Sequence, residues 1–249
     1  MLAQERFAII LNMLEQSGSV TVHSLMKELN TSESTIRRDL NTLDTAGKLS
    51  KVFGGAVLRA TTYSTREDDV FSRKEMNREE KSKIAKYAAS LIAAEDFVYL
   101  DAGTTTELMI DFILSKSATF VTNAVSHAKK LAYMGCKVYI LGGEFKAATE
   151  AIVGDEAMES LTKYHFTKGF WGANGVSVQN GFSTPDVKEA MIKKKSMENC
   201  QERYILCDSS KFSKTSCVTF APFERATVLT SRLKQETYRK YKNIVEVNE

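Results

Sequence analysis

Apolar residues recur at helical spacing three times in the first forty-five positions, and then the pattern changes to that of a hairpin. Over residues 2–16, Phe7, Ile10, Leu11 and Leu14 fall at i, i+3, i+4 and i+7, one stripe of a helix, and Ser17-Gly18 stops it. Val20-Thr21-Val22 reads as a short β-like connector. A second helix over about 23–29 turns Leu25, Met26 and Leu29 inward, and Asn30-Thr31-Ser32 supplies turn and cap chemistry. A third helix over about 33–44 buries Ile36, Leu40 and Leu43, with Gly47 placed as its C-terminal cap. Residues 49–52 and 56–58 then flank Gly54-Gly55, the signal of a tight hairpin. Three short helices and a hairpin within residues 1–60 describe a winged helix-turn-helix. Helix count alone fits a plain structural bundle equally well.

Residues 61–77, TTYSTREDDVFSRKEMN, are polar and charged without strong periodicity, and read as a linker. A helix over 79–94 follows, with Ile84, Ala88, Leu91 and Ile92 on one side. From there, strands expected at 97–101, 118–122, 137–141, 168–171, 203–207, 227–230 and 244–247 alternate with helices expected at 105–114, 124–134, 155–161, 185–200 and 235–242. That alternation predicts a mostly parallel sheet covered on both faces, an α/β domain over 78–249. Ligands of such sheets bind at the carboxyl ends of the strands.

Composition narrows the class without naming a function. With 43% hydrophobic and 26% charged residues the chain is expected to fold rather than stay disordered. A net charge of +3 is too small to argue for a nucleic-acid partner, so the placement of charge has to carry that argument. No apolar run approaches the ~18–20 residues of a membrane span, and the N-terminus lacks a small-residue cleavage site. A cytoplasmic protein away from membranes is expected. Cys136, Cys200, Cys207 and Cys217 make no CxxC pair, and His23, His127 and His165 lie far apart. Reduced thiols and no metal site are therefore expected.

Charge is placed unevenly around the third helix. Ile36 and Leu40 must face a core, which leaves Thr35, Arg37 and Arg38 able to face a major groove. An arginine there can fork onto guanine O6 and N7 or clamp a phosphate. Ser32 and Ser34 at the helix start can donate to phosphate. Asp39 would be repelled by DNA and is expected to point away and pair with an arginine. Residues 45–66 hold Lys48, Lys51, Arg59 and Arg66 and no acid, the electrostatic footprint of a wing on a nucleic-acid backbone. Scattered lysines on a solvated face are the bland alternative; the acid-free run beside the arginine pair weighs against it.

In the second half, Asp101-Ala102-Gly103-Thr104-Thr105-Thr106 stands where a strand meets a helix. Glycine admits close backbone approach, and hydroxyls with free helix-start N–H groups can cradle an anion. On its own the segment fits a helix N-cap as well as a phosphate site. The GxxxxGK[ST] loop is absent, so ATP is not expected. Further glycine-rich strand ends follow at 141–144, 171–175 and 181–185, and together they suggest one cleft rim. In Asp208-Ser209-Ser210-Lys211, Lys211 offers a point charge to a phosphate and Asp208 an acceptor for sugar hydroxyls, with a surface ion pair as the alternative.

Arg6, Ile10 and Leu14, then Ser32-x-x-Thr35-Ile36-Arg37-Arg38-Asp39-Leu40, with Gly47-Lys48-Leu49 and Gly54-Gly55-Ala56 downstream, resemble the signature of the DeoR family of bacterial regulators. The resemblance extends over essentially the whole chain, including Asn77-x-x-Glu80-Lys81-x-x-Ile84-Ala85. It implies an operator-binding repressor of double-stranded DNA with a sensor domain similar to ribose-5-phosphate isomerase-type folds. It also implies a homo-oligomer, dimer or tetramer, and a phosphorylated sugar as effector, with no cofactor. Carried over by position, it implies phosphate contacts from Gly103, Thr104, Thr105 and Lys211, with Lys81 a further candidate, and sugar-hydroxyl contacts from Asp101, Asn174 and Asp208. Within the family the chain is similar to repressors of fructose or lactose phosphotransferase operons, which puts fructose-1-phosphate first and tagatose-6-phosphate behind it.

Two other readings remain open from the residues. A sugar-phosphate isomerase needs a carboxylate base beside the substrate carbon. Isomerases of the similar fold take it from an acid-rich loop, and the corresponding Gly172-Ala173-Asn174-Gly175 has no carboxylate, which favours binding without turnover. A DNA-binding protein whose large domain only oligomerises is the other.

Overall fold

The computed structural model describes residues 1–46, 48–57, 63–64 and 70–247; of these, the side chains of 15, 16, 63, 64 and 71 are left aside. The chain divides into two compact units, Met1–Thr62 with Gln235–Lys240, and Tyr63–Lys234 with Tyr241–Glu249.

In the first unit the order is α1 (Ala3–Ser17), β1 (Ser19–Thr21), α2 (Val22–Leu29), α3 (Glu33–Thr45), β2 (Ser50–Val52) and β3 (Gly55–Val57). Each helix turns its apolar stripe to one core: Ile10 and Leu14 from α1, Leu25 and Leu29 from α2, Ile36, Leu40 and Leu43 from α3. Local backbone and side-chain bonds set the boundaries. Gly18 takes a left-handed φ of 73° and its N–H closes on the Leu14 carbonyl. The Thr21 hydroxyl caps α2 by accepting from the Ser24 N–H at 3.0 Å, and Ser32 caps α3 by accepting from the Thr35 N–H. The expected cap at Gly47 lies outside the described residues.

The connector around Val20 is a full strand. It pairs antiparallel with β3, giving the order β1-β3-β2. A Cβ on Gly55 would stand 2.0 Å from the Val20 carbonyl oxygen, so this close approach requires glycine. Pairing to a distant strand is invisible in three residues of local sequence, which is why the connector reading stopped short.

In the second unit the order is β4 (Tyr63–Ser64), α4 (Val70–Glu75), α5 (Arg78–Ser90), β5 (Phe97–Leu100), α6 (Thr104–Ile110), β6 (Thr119–Thr122), α7 (Val125–Tyr133), β7 (Lys137–Ile140), β8 (Glu144–Lys146), β9 (Ala151–Val153), α8 (Asp155–Leu161), β10 (Phe166–Gly172), β11 (Gly175–Ser177), β12 (Gly181–Thr184), α9 (Val187–Glu198), β13 (Cys200–Leu206), β14 (Thr215–Ser216), β15 (Val218–Ala221), β16 (Thr227–Thr230) and β17 (Ile244–Glu246). The seven strands expected from the sequence form one parallel sheet, β17-β16-β13-β10-β5-β6-β7.

Alternation along the strands splits the core into two layers. Val98, Leu100, Phe120 and Phe170 pack with Ile84, Ala88, Met109, Ile110 and Leu131 of α5, α6 and α7. Tyr99 and Trp171 stack at 5.6 Å between centroids, and the Trp171 indole N–H donates to Ser196 Oγ of α9 at 2.9 Å.

Three expectations change. Residues 70–75 of the stretch read as a linker are helical; α4 is tied down by the Val70 N–H on the Ala148 carbonyl at 3.2 Å and by Lys74 on Glu107 at 3.1 Å. A six-residue helix without a cap signal is stabilised by such tertiary contacts rather than by propensity. The helix expected at 235–242 is only a turn of 3₁₀ helix, Glu236–Tyr238, in which Tyr238 alone is buried. One buried position makes no apolar stripe. The small sheets β8-β9 and β11-β12-β15 were not expected; they are short runs set among the glycine loops.

Chain order decides where loops diverge. From β5 the chain steps outward to β6 and β7, then returns to lay β10 on the other side of β5. The loops leaving β5 and β10 therefore run in opposite directions, which opens a crevice at their carboxyl ends.

Candidate functional site

On the first unit, Ser32, Ser34, Arg37 and Arg38 of α3 and its cap are exposed, Thr35 is half-buried, and Lys48 and Lys51 are exposed on the arm leading into the hairpin. Ser32 Oγ stands 3.0 Å from both Ser34 Oγ and Thr35 Oγ1. Arg37 reaches back one turn to Glu33 at 2.6 Å, both half-exposed. Such a surface pair is weak and opens at little cost when a phosphate competes. Lys51 joins the hairpin to α3 through Asn41 Oδ1 at 2.6 Å.

Asp39 is the acid that did not belong on this face, and it is buried. Arg6 grips it with two bonds, Nε to Oδ2 at 2.6 Å and Nη2 to Oδ1 at 3.0 Å. The pair fixes α1 on α3 and takes the negative charge off the outer surface. Arg59 and Arg66 lie outside the described residues.

On the second unit, the crevice holds a cavity of ≈ 660 Å³, counting space open to solvent. Its wall includes Lys81, Gly103, Thr104, Thr105, Asn174, Asp208 and Lys211, seven residues singled out in the sequence. They come from the start of α5 and the carboxyl ends of β5, β10 and β13, which the sheet order brings together.

The loop after β5 is held from behind. The Ala102 N–H donates to Asn123 Oδ1 at 2.9 Å, and Thr106 Oγ1 lies 2.7 Å from the Asp101 carbonyl and 2.8 Å from that of Gly103. His127 Nε2 stands 3.1 Å from the same hydroxyl. Burial, with Lys130 and Lys74 nearby, pushes the His127 pKa down to about 3. The imidazole is therefore neutral and acts as a prop rather than a charge.

Among the described residues four cationic side chains border the cavity, and two of them carry no clear sign of it in the sequence. Lys81 is 4% exposed; it donates to Thr104 Oγ1 at 3.1 Å and to the Arg73 carbonyl. Desolvation pushes its pKa down to about 8; Lys211 and Arg73 act the same way and Asp208 opposes them. Arg73 of α4 lines the cavity, and its Nε is buried with no hydrogen-bond partner among the described residues. Lys193 of α9 is 5% exposed and pairs with Asp101.

Asp101 takes a place different from the one expected. It is fully buried behind the wall, accepts from the Gly172 N–H at 3.3 Å and holds Lys193, a residue of the cavity lining. Burial raises the Asp101 pKa and the neighbouring Lys193 counters it. Asp208 does line the cavity, and its Oδ1 accepts from Asn77 Nδ2 at 2.9 Å and from the Ser210 N–H at 3.0 Å. Asn174 accepts from Thr184 Oγ1 at 3.2 Å. Glu189 of α9, not singled out in the sequence, also lines the cavity and accepts from Thr149 Oγ1 at 2.5 Å and Lys146 at 3.2 Å.

Arg73 was hidden in a polar stretch without periodicity, and Lys193 and Glu189 in a lysine-rich helix. A faint signal existed for α9: Glu189 and Lys193 are four residues apart, hence on one helix face, together with Ser196. Chemically, the cavity can neutralise a compact anion with Lys81, Lys211 and Arg73, and can bond hydroxyls through Asn174, Asp208 and Glu189.

Two family models match the chain: a DeoR-like helix-turn-helix domain over residues 6–62 and a DeoR C-terminal sensor domain over 76–232. The chain is 40% identical over 250 residues to an uncharacterized HTH-type transcriptional regulator FruR of Bacillus subtilis, covering 99% of each chain. It is 33% identical over 256 residues to a lactose phosphotransferase system repressor of Staphylococcus epidermidis, covering 98% of each. Among solved structures, a ribose 5-phosphate isomerase A from Methanocaldococcus jannaschii is similar over 55% of each chain, with a TM-score of 0.41 and 17% identity.

Proposed function

The chain belongs to the DeoR family of transcriptional regulators, and from that premise we propose that it is a cytoplasmic repressor of a sugar-catabolic operon, released from its operator by a phosphorylated sugar. The observation that carries the effector half is a buried donor with no partner among the described residues: Arg73 Nε, on the wall of a cavity that Lys81 and Lys211 also line. Buried donors are nearly always paired, so an orphan beside two ammonium groups favours an anionic guest. Hydroxyl partners on the same wall favour a sugar as the body of that guest. Fructose-1-phosphate is the first candidate, which accords with the name of the Bacillus subtilis relative, and tagatose-6-phosphate is the second.

Exposed Arg37 and Arg38 read base edges or clamp phosphates in a major groove, while Ser32, Ser34, Thr35, Lys48 and Lys51 hold the backbone. The protein acts as a homo-oligomer, dimer or tetramer, on repeated half-sites. Release requires that the sugar bind one arrangement of the units better than the other.

A thermal-shift panel of sugar phosphates tests the effector half. A ligand at 100 times its Kd stabilises the fold by about 2.7 kcal/mol. Lys211→Ala is expected to keep operator binding and lose both the shift and the release. No shift with any sugar phosphate at millimolar concentration would favour a large unit that only oligomerises. Glu189 and Asp208 put carboxylates on the wall, so a second reading, aldose–ketose isomerisation, has a specific observation behind it. Both carboxylates are already engaged by fixed donors, which favours binding. Turnover of ribose-5-phosphate or fructose phosphates at ordinary enzyme rates would reverse that preference.

A further inference from the structure

Phe53 stands at the apex of the β2–β3 hairpin with its ring fully exposed, and Val52 beside it is 44% exposed. Isolated apolar residues on a surface need no explanation. This one differs in its mounting. The turn is pinned from below: the Gly54 carbonyl accepts from the Val22 N–H at 2.8 Å, and Gly55 packs against the Val20 backbone. The arm leading to it is tied to α3 through the Lys48 N–H on the Leu43 carbonyl at 2.8 Å and through Lys51 on Asn41. The ring is thus presented on a rigid point that moves with α3. Residues 48–57 carry two lysines and no acid; the nearest carboxylate along the chain, Asp44 of α3, is engaged by the Lys51 N–H at 3.3 Å at the base of the hairpin.

We infer that Phe53 is an apolar wedge that enters the DNA minor groove next to the major groove occupied by α3. The inference rests on the operator-binding reading above and extends it to a contact made without charge. A two-stranded ribbon does not fit a minor groove about 6 Å wide, but a single ring at the apex does. Lys48 and Lys51 then lie over the flanking phosphates. A ring entering there works by parting a base step and gripping the sugar walls, so it rewards sequences that deform easily.

The test uses the full chain and a duplex that the wild-type protein selects from a random-sequence pool. Phe53→Ala is expected to weaken binding about tenfold with no change in the slope of log affinity against log salt, because no phosphate contact is lost. Phe53→Leu, which keeps an apolar wedge, should stay within about threefold of wild type. Lys51→Ala should lower the salt slope by about one. A 2-aminopurine placed at the parted step should brighten on binding wild type and stay dark with Phe53→Ala. The wedge is refuted if Phe53→Ala binds like wild type, if Phe53→Leu is as weak as alanine, or if Phe53→Ala shifts the melting temperature. It is also refuted if Phe53→Ala changes the oligomeric state while leaving DNA affinity intact, which would make the tip a protein contact. Failure of the wild-type chain to select any duplex would sink the operator reading itself, and the wedge with it.

Discussion

The two units handle positive charge in opposite ways. On the winged unit Arg37, Arg38, Lys48 and Lys51 stand in water, and Asp39, the acid in the middle of their helix, is buried under Arg6. In the cavity Lys81 and Lys193 are almost wholly buried, held by a threonine hydroxyl, backbone carbonyls and Asp101. Solvated cations keep their hydration until a polyanion displaces it, so each contributes little alone and salt weakens the sum. Buried cations have already lost water during folding. They are costly to the fold, and an anion that reaches them meets a strong, weakly screened field. One surface suits a long polymer read by many modest contacts, the other a small guest held by few strong ones.

Breaking the buried side should have the largest effect. Asp101→Ala removes the carboxylate that holds the buried Lys193, and a loss of about 3–5 kcal/mol of unfolding free energy is expected by urea denaturation. A loss below about 1 kcal/mol would show that water reaches this pair. Next come the exposed arginines of α3. Replacing Arg38 or Arg37 by alanine should cost about 1–3 kcal/mol of operator affinity by electrophoretic shift, while the effector's thermal shift is unchanged. Loss of both activities together would mean that the side chain serves folding.

Lys81 sharpens the contrast through pH. Its pKa, pushed down to about 8 by burial, lies below the ordinary lysine value. The ammonium is therefore mostly present at neutral pH and is lost as pH rises through 8. Effector affinity by calorimetry should fall between pH 7 and 9, approaching about tenfold per pH unit at the upper end if one proton is coupled. A flat profile over that range would separate Lys81 from the anion. The smallest effect belongs to the exposed pair on α3. Glu33→Ala should change stability by about 0.5 kcal/mol or less, and removing its competition for Arg37 should leave operator affinity the same or slightly higher.

Strands and helices of the second unit were legible because each carries its own signal. All seven strands of the main sheet were marked by short apolar runs between polar or glycine-rich stretches, and their bounds moved by only a few residues. Asp39 was legible too: an acid in the middle of a basic helix face needs a partner, and Arg6 supplies it. The loop after β5 was readable from glycine beside hydroxyls. Arg73, Lys193 and Glu189 were not, because a long charged side chain gives no local sign of whether it points into solvent or into a cavity. Asp101 was half legible for the same reason: it stands at a strand end as expected, yet whether it faces the cavity or a lysine depends on a helix some ninety residues later.

What the sequence determined alone is local: helix stripes, caps, turns, the alternation of elements and the face of α3 that carries charge. These follow from interactions within a few residues, so a window of sequence contains their causes. What only the tertiary structure decided is convergence. The order β10-β5-β6 sets the point where loops part, and it brings α4, α5 and α9 around the same cavity. Strand order is fixed by packing energies summed over the whole unit, and no stretch of chain holds that sum by itself.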